Sequence, residues 1–382
     1  MNGYLLKFLD NYLGRFVSVM FRPQSSHLII EPAFILIIRP GGIGDAVLLL
    51  PMLQQLSTIY PDAKIEVLAE RRNAEVFSWS PVVSKIWQYD NPLSFLKLFQ
   101  QRYDLIIDTE QWYRLSAVVG RMLRPSRMIG FATNERSRLL TNPCQYNQDE
   151  YEASMFIKLL TTLKDDKNDF KNVTFSLPTL NQSIFSTENP YIIIAPGGSV
   201  HGKQWPADRF SKVARLLERI GFETVILGGK GESITGELIS FSSCKCHNLV
   251  AKTSLTETSA VISKSNMMIS GDSGLLHIAQ LFGIPTVGLF GPTNHKKWNR
   301  NSKNQVVVST DCNCAPCAKY GIIPKCHKGF KCMMDISVDL VVEAAIQLLR
   351  QNKAITTSIS DPDISSIKIE PSDSGFIGRS RP

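Results

Sequence analysis

Asp45 closes a glycine-rich turn, Arg39-Pro-Gly-Gly-Ile-Gly-Asp45, which follows the apolar run Phe34-Ile-Leu-Ile-Ile38. A carboxylate at the mouth of such a turn can serve as a general base toward an attacking hydroxyl, an effect of roughly 10² to 10⁴-fold. It can equally cap the helix that starts there, because aspartate is a preferred N-cap. Gly42 and Gly44 remove side chains where something must approach the backbone closely. A second turn, Pro196-Gly-Gly-Ser199 continuing to Lys203-Gln-Trp-Pro206, carries a lysine. Lys203 can set a point charge on a diphosphate beside the amides of Gly198 and Ser199, or it can be a solvated loop lysine. Glu232 follows a third glycine stretch, Gly228-Gly-Lys-Gly231. It can bond a ribose or sugar hydroxyl, or compensate a helix dipole. Gly271-Asp-Ser-Gly274 opens another helix. There Asp272 reads as a ligand contact or an N-cap, and His277 as a cleft residue or a buried, satisfied histidine; Ser273 and Gly274 share that face.

Amides at helix N-termini bind phosphate readily, so these turns point to a nucleotide-linked ligand. None is a Walker loop, and Gly41 to Asp45 lacks the third glycine of the dinucleotide fingerprint.

The elements that must position these residues alternate strand and helix. Strands are expected at 34–38, 63–68, 85–89, 103–108 and 126–131, and helices at 73–78, 93–100, 115–123 and within 142–164. After a polar stretch the pattern restarts, with strands at 191–195, 224–227, 267–270 and 286–290 and helices at 207–219, 256–263, 275–282 and 338–350. Repeated units of this kind make parallel sheets covered by helices, with ligands at the carboxyl ends of the strands. Asp45 and Asp108 both stand at such ends. The expected fold class is α/β, with two Rossmann-like doubly wound domains facing a central cleft. The boundaries are 1–33 (amphipathic helix and connector), 34–185 (first domain), 186–352 (second domain, with a Cys-rich segment at 312–332) and 353–382 (a mobile tail).

With 382 residues, two domains are the natural expectation. A formal charge of +8 favours anionic partners. No basic run interleaved with aromatics supports nucleic acid as that partner. No apolar run is long enough to span a bilayer. Asp10 and Arg15 interrupt the N-terminal apolar stretch, so a secretory signal is not expected and the cytoplasm is the default. At helical spacing, Tyr4, Leu5, Phe8, Leu9, Tyr12, Phe16 and Met20 form one face, with Lys7, Asn11, Arg15 and Ser18 opposite. The apolar face can pack on the protein's own surface or meet a membrane interface.

Five of the eight cysteines fall between 312 and 332. Cys314, Cys317, Cys326 and Cys332 could hold structural zinc or iron, though the second pair is spaced more loosely than usual. Disulfides, which a reducing cytoplasm disfavours, and unlinked thiols are the alternatives.

Taken together the turns resemble glycosyltransferase family 9, the ADP-heptose:lipopolysaccharide heptosyltransferases, over roughly residues 34 to 350. Three blocks carry the likeness: Arg39 to Ala46 with Pro51, Pro196 to Pro206, and Gly271 to His277 followed by Gly283-Ile-Pro-Thr286 and Phe290-Gly-Pro-Thr293. The resemblance implies a glycosyltransferase-B fold and inverting transfer of L-glycero-D-manno-heptose from ADP-heptose to the lipopolysaccharide inner core. It implies Asp45 as base, and donor contacts from Gly198, Ser199, Lys203, Glu232, Asp272, Ser273, Gly274 and His277. Gly198 departs from members that carry a hydroxyl residue there. Candidate acceptor contacts are Gly42, Gly44, Arg71, Arg72, Arg114 and Arg121. No cofactor is required if Lys203 and amides carry the diphosphate charge. The acceptor partner would lie on the inner membrane, making the enzyme cytoplasmic and peripheral on its inner face. A sub-family that modifies proteins binds iron through cysteines. Rival readings are a family-9 transferase with another nucleotide sugar or a protein acceptor, and a non-catalytic nucleotide-sugar-binding protein.

Overall fold

A computed structural model describes residues 10–20, 31–163, 184–241, 243, 245–352 and 375–378. The chain divides into two compact units, Met1–Thr179 and Leu180–Pro382.

In the first unit six strands form one parallel sheet: β1 (Phe34–Ile38), β2 (Lys64–Ala69), β3 (Val83–Gln88), β4 (Leu105–Asp108), β5 (Arg127–Phe131) and β6 (Asn142–Cys144). Their order is β3-β2-β1-β4-β5-β6. The apolar run of β1 fits its central place, paired in parallel with β2 on one side and β4 on the other. The helices are α1 (Arg15–Met20), α2 (Ile43–Ile59), α3 (Arg71–Ser78), α4 (Pro92–Leu98), α5 (Leu115–Met122) and α6 (Glu152–Leu160). One layer of core joins Leu36, Ile38, Leu68 and Ile106 of the sheet to Leu98, Ala117 and Val118 of the helices.

The second unit repeats the plan with β7 (Tyr191–Ala195), β8 (Glu223–Ile226), β9 (Cys246–Asn248), β10 (Met267–Gly271), β11 (Thr286–Leu289), β12 (Gln305–Thr310) and β13 (Gly375–Gly378). Their order is β13-β12-β11-β10-β7-β8-β9. Its helices are α7 (Ala207–Arg219), α8 (Ser233–Ser240), α9 (Leu255–Ser263), α10 (Gly274–Leu281), α11 (His295–Trp298), α12 (Lys331–Met334) and α13 (Val338–Gln351). The core sets Ile192, Ile194 and Ile226 against Phe210, Val213 and Leu217 of α7 and Val341, Ala345 and Leu348 of α13. β13 is antiparallel to β12, pairing Val308 with Ile377. It lies within the segment expected to be a mobile tail, so that expectation is corrected at 375–378; the rest of the tail lies outside the described residues.

Before β1, a π-helical turn at Asp10–Gly14 leads into α1. Here two polar side chains, Asp10 and Ser18, point inward, while Arg15 stays exposed. Asp10 is buried and accepts from the backbone N–H groups of Arg114 (2.6 Å) and Leu115 (2.8 Å), capping α5 from a distance in sequence. Ser18 is buried and donates to the Gly14 carbonyl at 2.6 Å. Tyr12 and Phe16 are 69% and 63% exposed, and Val19 and Met20 are also exposed. Ser18, expected on the outer face, is therefore inside, whereas Tyr12, Phe16, Val19 and Met20 face outward and Val17 packs on the core. Tyr4, Leu5, Lys7, Phe8 and Leu9 lie outside the described residues. No helix among the described residues is long and apolar enough to cross a membrane.

Candidate functional site

Each sheet has one point where the chain's path reverses: between β1 and β4 in the first unit, and between β7 and β10 in the second. Loops leaving the strand ends there diverge and open a crevice, where ligands of doubly wound sheets bind. Asp45 in the first unit, and Lys203, Asp272 and His277 in the second, lie at these two points.

In the first unit the turn after β1 bends at Gly41, whose φ of +112° suits glycine alone. Gly42 is the N-cap of α2, with no side-chain cap bond. The expectation of Asp45 as a possible N-cap is thereby corrected: it lies in the first helical turn, three residues past the cap. There its charge faces the positive end of the helix dipole. The carboxylate is 22% exposed, with Oδ1 3.9 Å from Nη2 of Arg39. Its Oδ2 lies over Gly42, where an added Cβ would approach to 3.1 Å. Arg39 is buried and held by the carbonyls of Pro40 (2.7 Å) and Thr109 (2.8 Å) and by Glu110 Oε2 (3.2 Å).

Carboxylates crowd around that guanidinium. Asp108, at the tip of β4, pairs with fully buried Arg136 at 2.5 Å. Glu152 accepts from Gln111 (2.5 Å) and from the Tyr146 hydroxyl (2.8 Å). Burial pushes the Glu110 carboxyl up, against the opposing pull of Arg39 and the Trp112 amide.

The candidate acceptor arginines divide. Arg71 and Arg72 are exposed at the start of α3. Arg72 Nε donates to Glu70 (2.7 Å) and to the Gly41 carbonyl (3.0 Å), bracing the turn. Arg114 is buried and ion-paired to Asp10 (3.3 Å) and Glu135 (2.7 Å), so it anchors the N-terminal segment rather than presenting a free charge. Arg121 is half-buried in the last turn of α5. Gly44 lies in the first turn of α2, half-buried.

In the second unit Lys203 ends a short 3₁₀ turn, His201–Lys203, after the glycine turn that follows β7. Its Nζ donates to Asp272 Oδ2 at 2.6 Å. Asp272 leaves β10 buried, with Oδ1 3.7 Å from His277 Nε2. The N-cap of α10 is Ser273, which accepts from the Leu276 N–H, so a capping role for Asp272 is also corrected. Gly274 is the first residue of that helix. Burial works to raise the Asp272 carboxyl; the Lys203 charge and His277 overcome it and hold it well below the usual carboxylate range. His277 is buried, and its Nδ1 has no hydrogen-bond partner among the described residues.

The glycines let these parts close up. A Cβ on Gly271 would meet the Lys203 carbonyl at 2.8 Å, and one on Gly198 would meet the Lys203 Cβ at 3.0 Å. Glu232 folds back so that Oε2 accepts from the Gly229 N–H at 2.8 Å, and a Cβ on Gly197 would meet its Cδ at 2.9 Å. Ser199 is exposed at the rim. Lys203, Asp272, His277 and Glu232 thus surround one glycine-lined mouth. It can set a cation and free amides against a diphosphate, and carboxylates against hydroxyls.

Cys312 and Cys314 lie with sulfurs 3.4 Å apart, and Cys326 Sγ accepts from the Phe330 N–H at 3.3 Å. Cys332 is buried and Cys317 half-buried. Among the described residues no three His, Cys, Asp or Glu side chains are placed to hold a metal ion.

Arg39, Glu110, Arg136 and Glu152 were not among the candidate site residues. For two of them a signal was present: Glu110 stands two residues after the Asp108 tip of an apolar strand, and Arg39 directly follows another; Arg136 and Glu152 carried none.

Comparison with known proteins agrees with this fold. Residues 94–327 match the model of glycosyltransferase family 9 (heptosyltransferase). Lipooligosaccharide heptosyltransferase 2 of Haemophilus ducreyi is 27% identical over 354 residues, covering 82% of this chain and 99% of the relative. The solved structure of ADP-heptose lipopolysaccharide heptosyltransferase II of Escherichia coli has a TM-score of 0.69 at 22% identity, covering 84% of this chain and 99% of its own. A family 9 glycosyltransferase of Veillonella parvula has a TM-score of 0.70 at 20% identity, covering 85% and 99%. With the glycosyltransferase-B architecture and the family match in agreement, this chain belongs to glycosyltransferase family 9 and is a glycosyltransferase.

Proposed function

We propose that this enzyme transfers L-glycero-D-manno-heptose from its ADP-linked form to a hydroxyl of the lipopolysaccharide inner core, with inversion at the anomeric carbon. The observation that carries this reading is the mouth formed by Lys203, Asp272, His277 and Glu232 at the second switch point. It suits a nucleoside diphosphate sugar. The relatives named as heptosyltransferases supply the sugar.

In the proposed reaction the acceptor oxygen forms a bond to the anomeric carbon while the bond from that carbon to the diphosphate oxygen breaks. The electron pair leaves with ADP, and the acceptor proton passes to Asp45. Lys203 and the amides of Gly198 and Ser199 take up the charge of the leaving diphosphate, worth about 3–4 kcal/mol per well-placed donor. Glu232 bonds ribose or sugar hydroxyls, and Asp272, Ser273, Gly274 and His277 hold the diphosphate and sugar. Arg71 and Arg72 are the exposed cations for an anionic acceptor. The outward face of Tyr12, Phe16, Val19 and Met20 supports peripheral contact with the membrane that carries this acceptor.

Calorimetry with ADP-heptose, ADP-glucose and UDP-N-acetylglucosamine tests the donor: ADP sugars should bind preferentially, and equal binding of all three would refute the heptosyl assignment. Asp45→Ala should keep donor affinity while losing about 10²-fold or more in turnover. A rate within a few-fold of the parent would reduce Asp45 to a structural residue.

A further inference from the structure

Asp45 is approached by one buried cation that is already occupied. Arg39 cannot swing, because its Nε and Nη1 are fixed to carbonyls on both sides of the switch point, Pro40 after β1 and Thr109 after β4. Its guanidinium lies 5.7 Å from the centre of the Phe156 ring, which walls off the remaining side. Only Nη2 reaches carboxylates, at 3.2 Å from Glu110 and 3.9 Å from Asp45. Glu110 is fixed in turn: its Oε1 accepts from the N–H groups of Gln111 (3.0 Å), Trp112 (3.0 Å) and Tyr113 (3.4 Å). A buried carboxylate therefore stands nearer to the arginine than Asp45 does.

That arrangement has a chemical consequence for a base. An arginine in full contact with a catalytic carboxylate orients it but weakens it, by holding its negative charge. An arginine shared with a second carboxylate bears less wholly on the first.

We propose that Arg39, pinned by two carbonyls and shared between Glu110 and Asp45, is the positioning residue for Asp45. This rests on the reading of Asp45 as base. The other groups in reach are accounted for. Tyr146 on the segment before α6 senses Asp45, and its hydroxyl is committed to Glu152. Glu152 itself is held by Gln111, and Asp108 by Arg136 and Ser116. Arg72 donates to the Gly41 carbonyl and Glu70.

The test is the pH profile of the chemical step, read by single-turnover pH jumps from about pH 4 to 8 with the full chain. Glu110→Gln preserves the amide contacts and removes one negative charge. Its acid limb should move down by about one pH unit, with a plateau rate about 3- to 10-fold lower, because Arg39 now bears wholly on Asp45. Arg39→Met should move the limb up by about one unit, because Asp45 is then left facing carboxylates. Arg39→Lys keeps charge but not the two carbonyl anchors, so its limb should stay close to the parent's while its rate falls.

A folding defect would lower rates without moving limbs in opposite directions. Superimposable profiles of the parent, Glu110→Gln and Arg39→Met overturn the proposal. Asp45→Asn separates the two levels. If it keeps the parental rate and limb, the base assignment and this inference fall together. If it loses both while the Arg39 and Glu110 variants leave the limb in place, only the role of the pair falls.

Discussion

Replacing Lys203 by methionine should destabilise the second unit by about 3–5 kcal/mol at neutral pH, because it leaves the Asp272 carboxylate buried without its cation. The size follows from the geometry. Charges 2.6 Å apart attract by about 6 kcal/mol at an effective dielectric constant of about 20, and desolvation offsets part of this in the intact pair but not in the broken one. The pH dependence has a definite sign. In the parent the Asp272 carboxyl is held below its ordinary 3.8, so its contribution is fully present above about pH 4 and is lost as pH falls toward the folded value. In Lys203→Met burial is opposed only by His277, and the carboxyl rises. The variant recovers as Asp272 takes a proton, so its deficit should narrow below about pH 5. Hydrogen exchange of peptides spanning 191–206 and 267–281 reads this locally, without requiring the whole chain to unfold in one step. Adding Asp272→Asn to Lys203→Met should restore most of the lost protection. Unchanged protection in the single variant, or a deficit that does not depend on pH, would refute the claim that Lys203 sustains the buried charge.

Three further outcomes are expected. Gly271→Ala drives a Cβ into the Lys203 carbonyl, so ADP affinity by calorimetry should fall about 10-fold or more, whereas parental affinity would show that the close approach is dispensable. Phe16→Glu should reduce co-flotation with anionic lipid vesicles at least several-fold while leaving turnover of a soluble acceptor fragment unchanged; undiminished flotation would remove α1 from membrane contact. At about pH 7.5, Cys312 should alkylate first among the thiols, since the Cys314 amide and then its thiol lower the Cys312 pKa, whereas burial pushes Cys246 up to about 12 and Cys332 up to about 11. Peptide mass mapping that found equal rates would contradict this.

The sequence carried the central elements because their burial is written in their residues. Phe34–Ile38 and Tyr191–Ala195 are apolar runs that only a covered parallel strand can use, and both appear with those bounds. β6 (Asn-Pro-Cys) and β9 (Cys-His-Asn) carry no such pattern; they exist because a finished sheet offers its edge to them. β12 has a legible Val306–Val308 run but falls beyond the last assigned strand of the repeating pattern. At the sites, residue type singled out Lys203 and Asp272 separately, since each stands in a glycine-bearing turn after a strand, but it did not reveal their pairing. It did not reveal Arg39 beside Glu110, because 70 residues separate Arg39 from Thr109, whose carbonyl helps to fix it. The N-terminal helix misled for a related reason. Apolar spacing shows which residues share a face, but a buried Asp10 that caps a helix over 100 residues away decides which face is inside.

The ion pairs described above all close within their own unit: Arg39 with Glu110, Arg136 with Asp108 and Arg114 with Asp10 on one side of residue 179, and Lys203 with Asp272 on the other. Each of these buried groups meets its counter-charge within its own half. Chimeras joined near 179–180 should therefore inherit each half's electrostatics intact. If the proposed division of labour holds, exchanging the first half between relatives should change the acceptor that is used and leave donor affinity as it was.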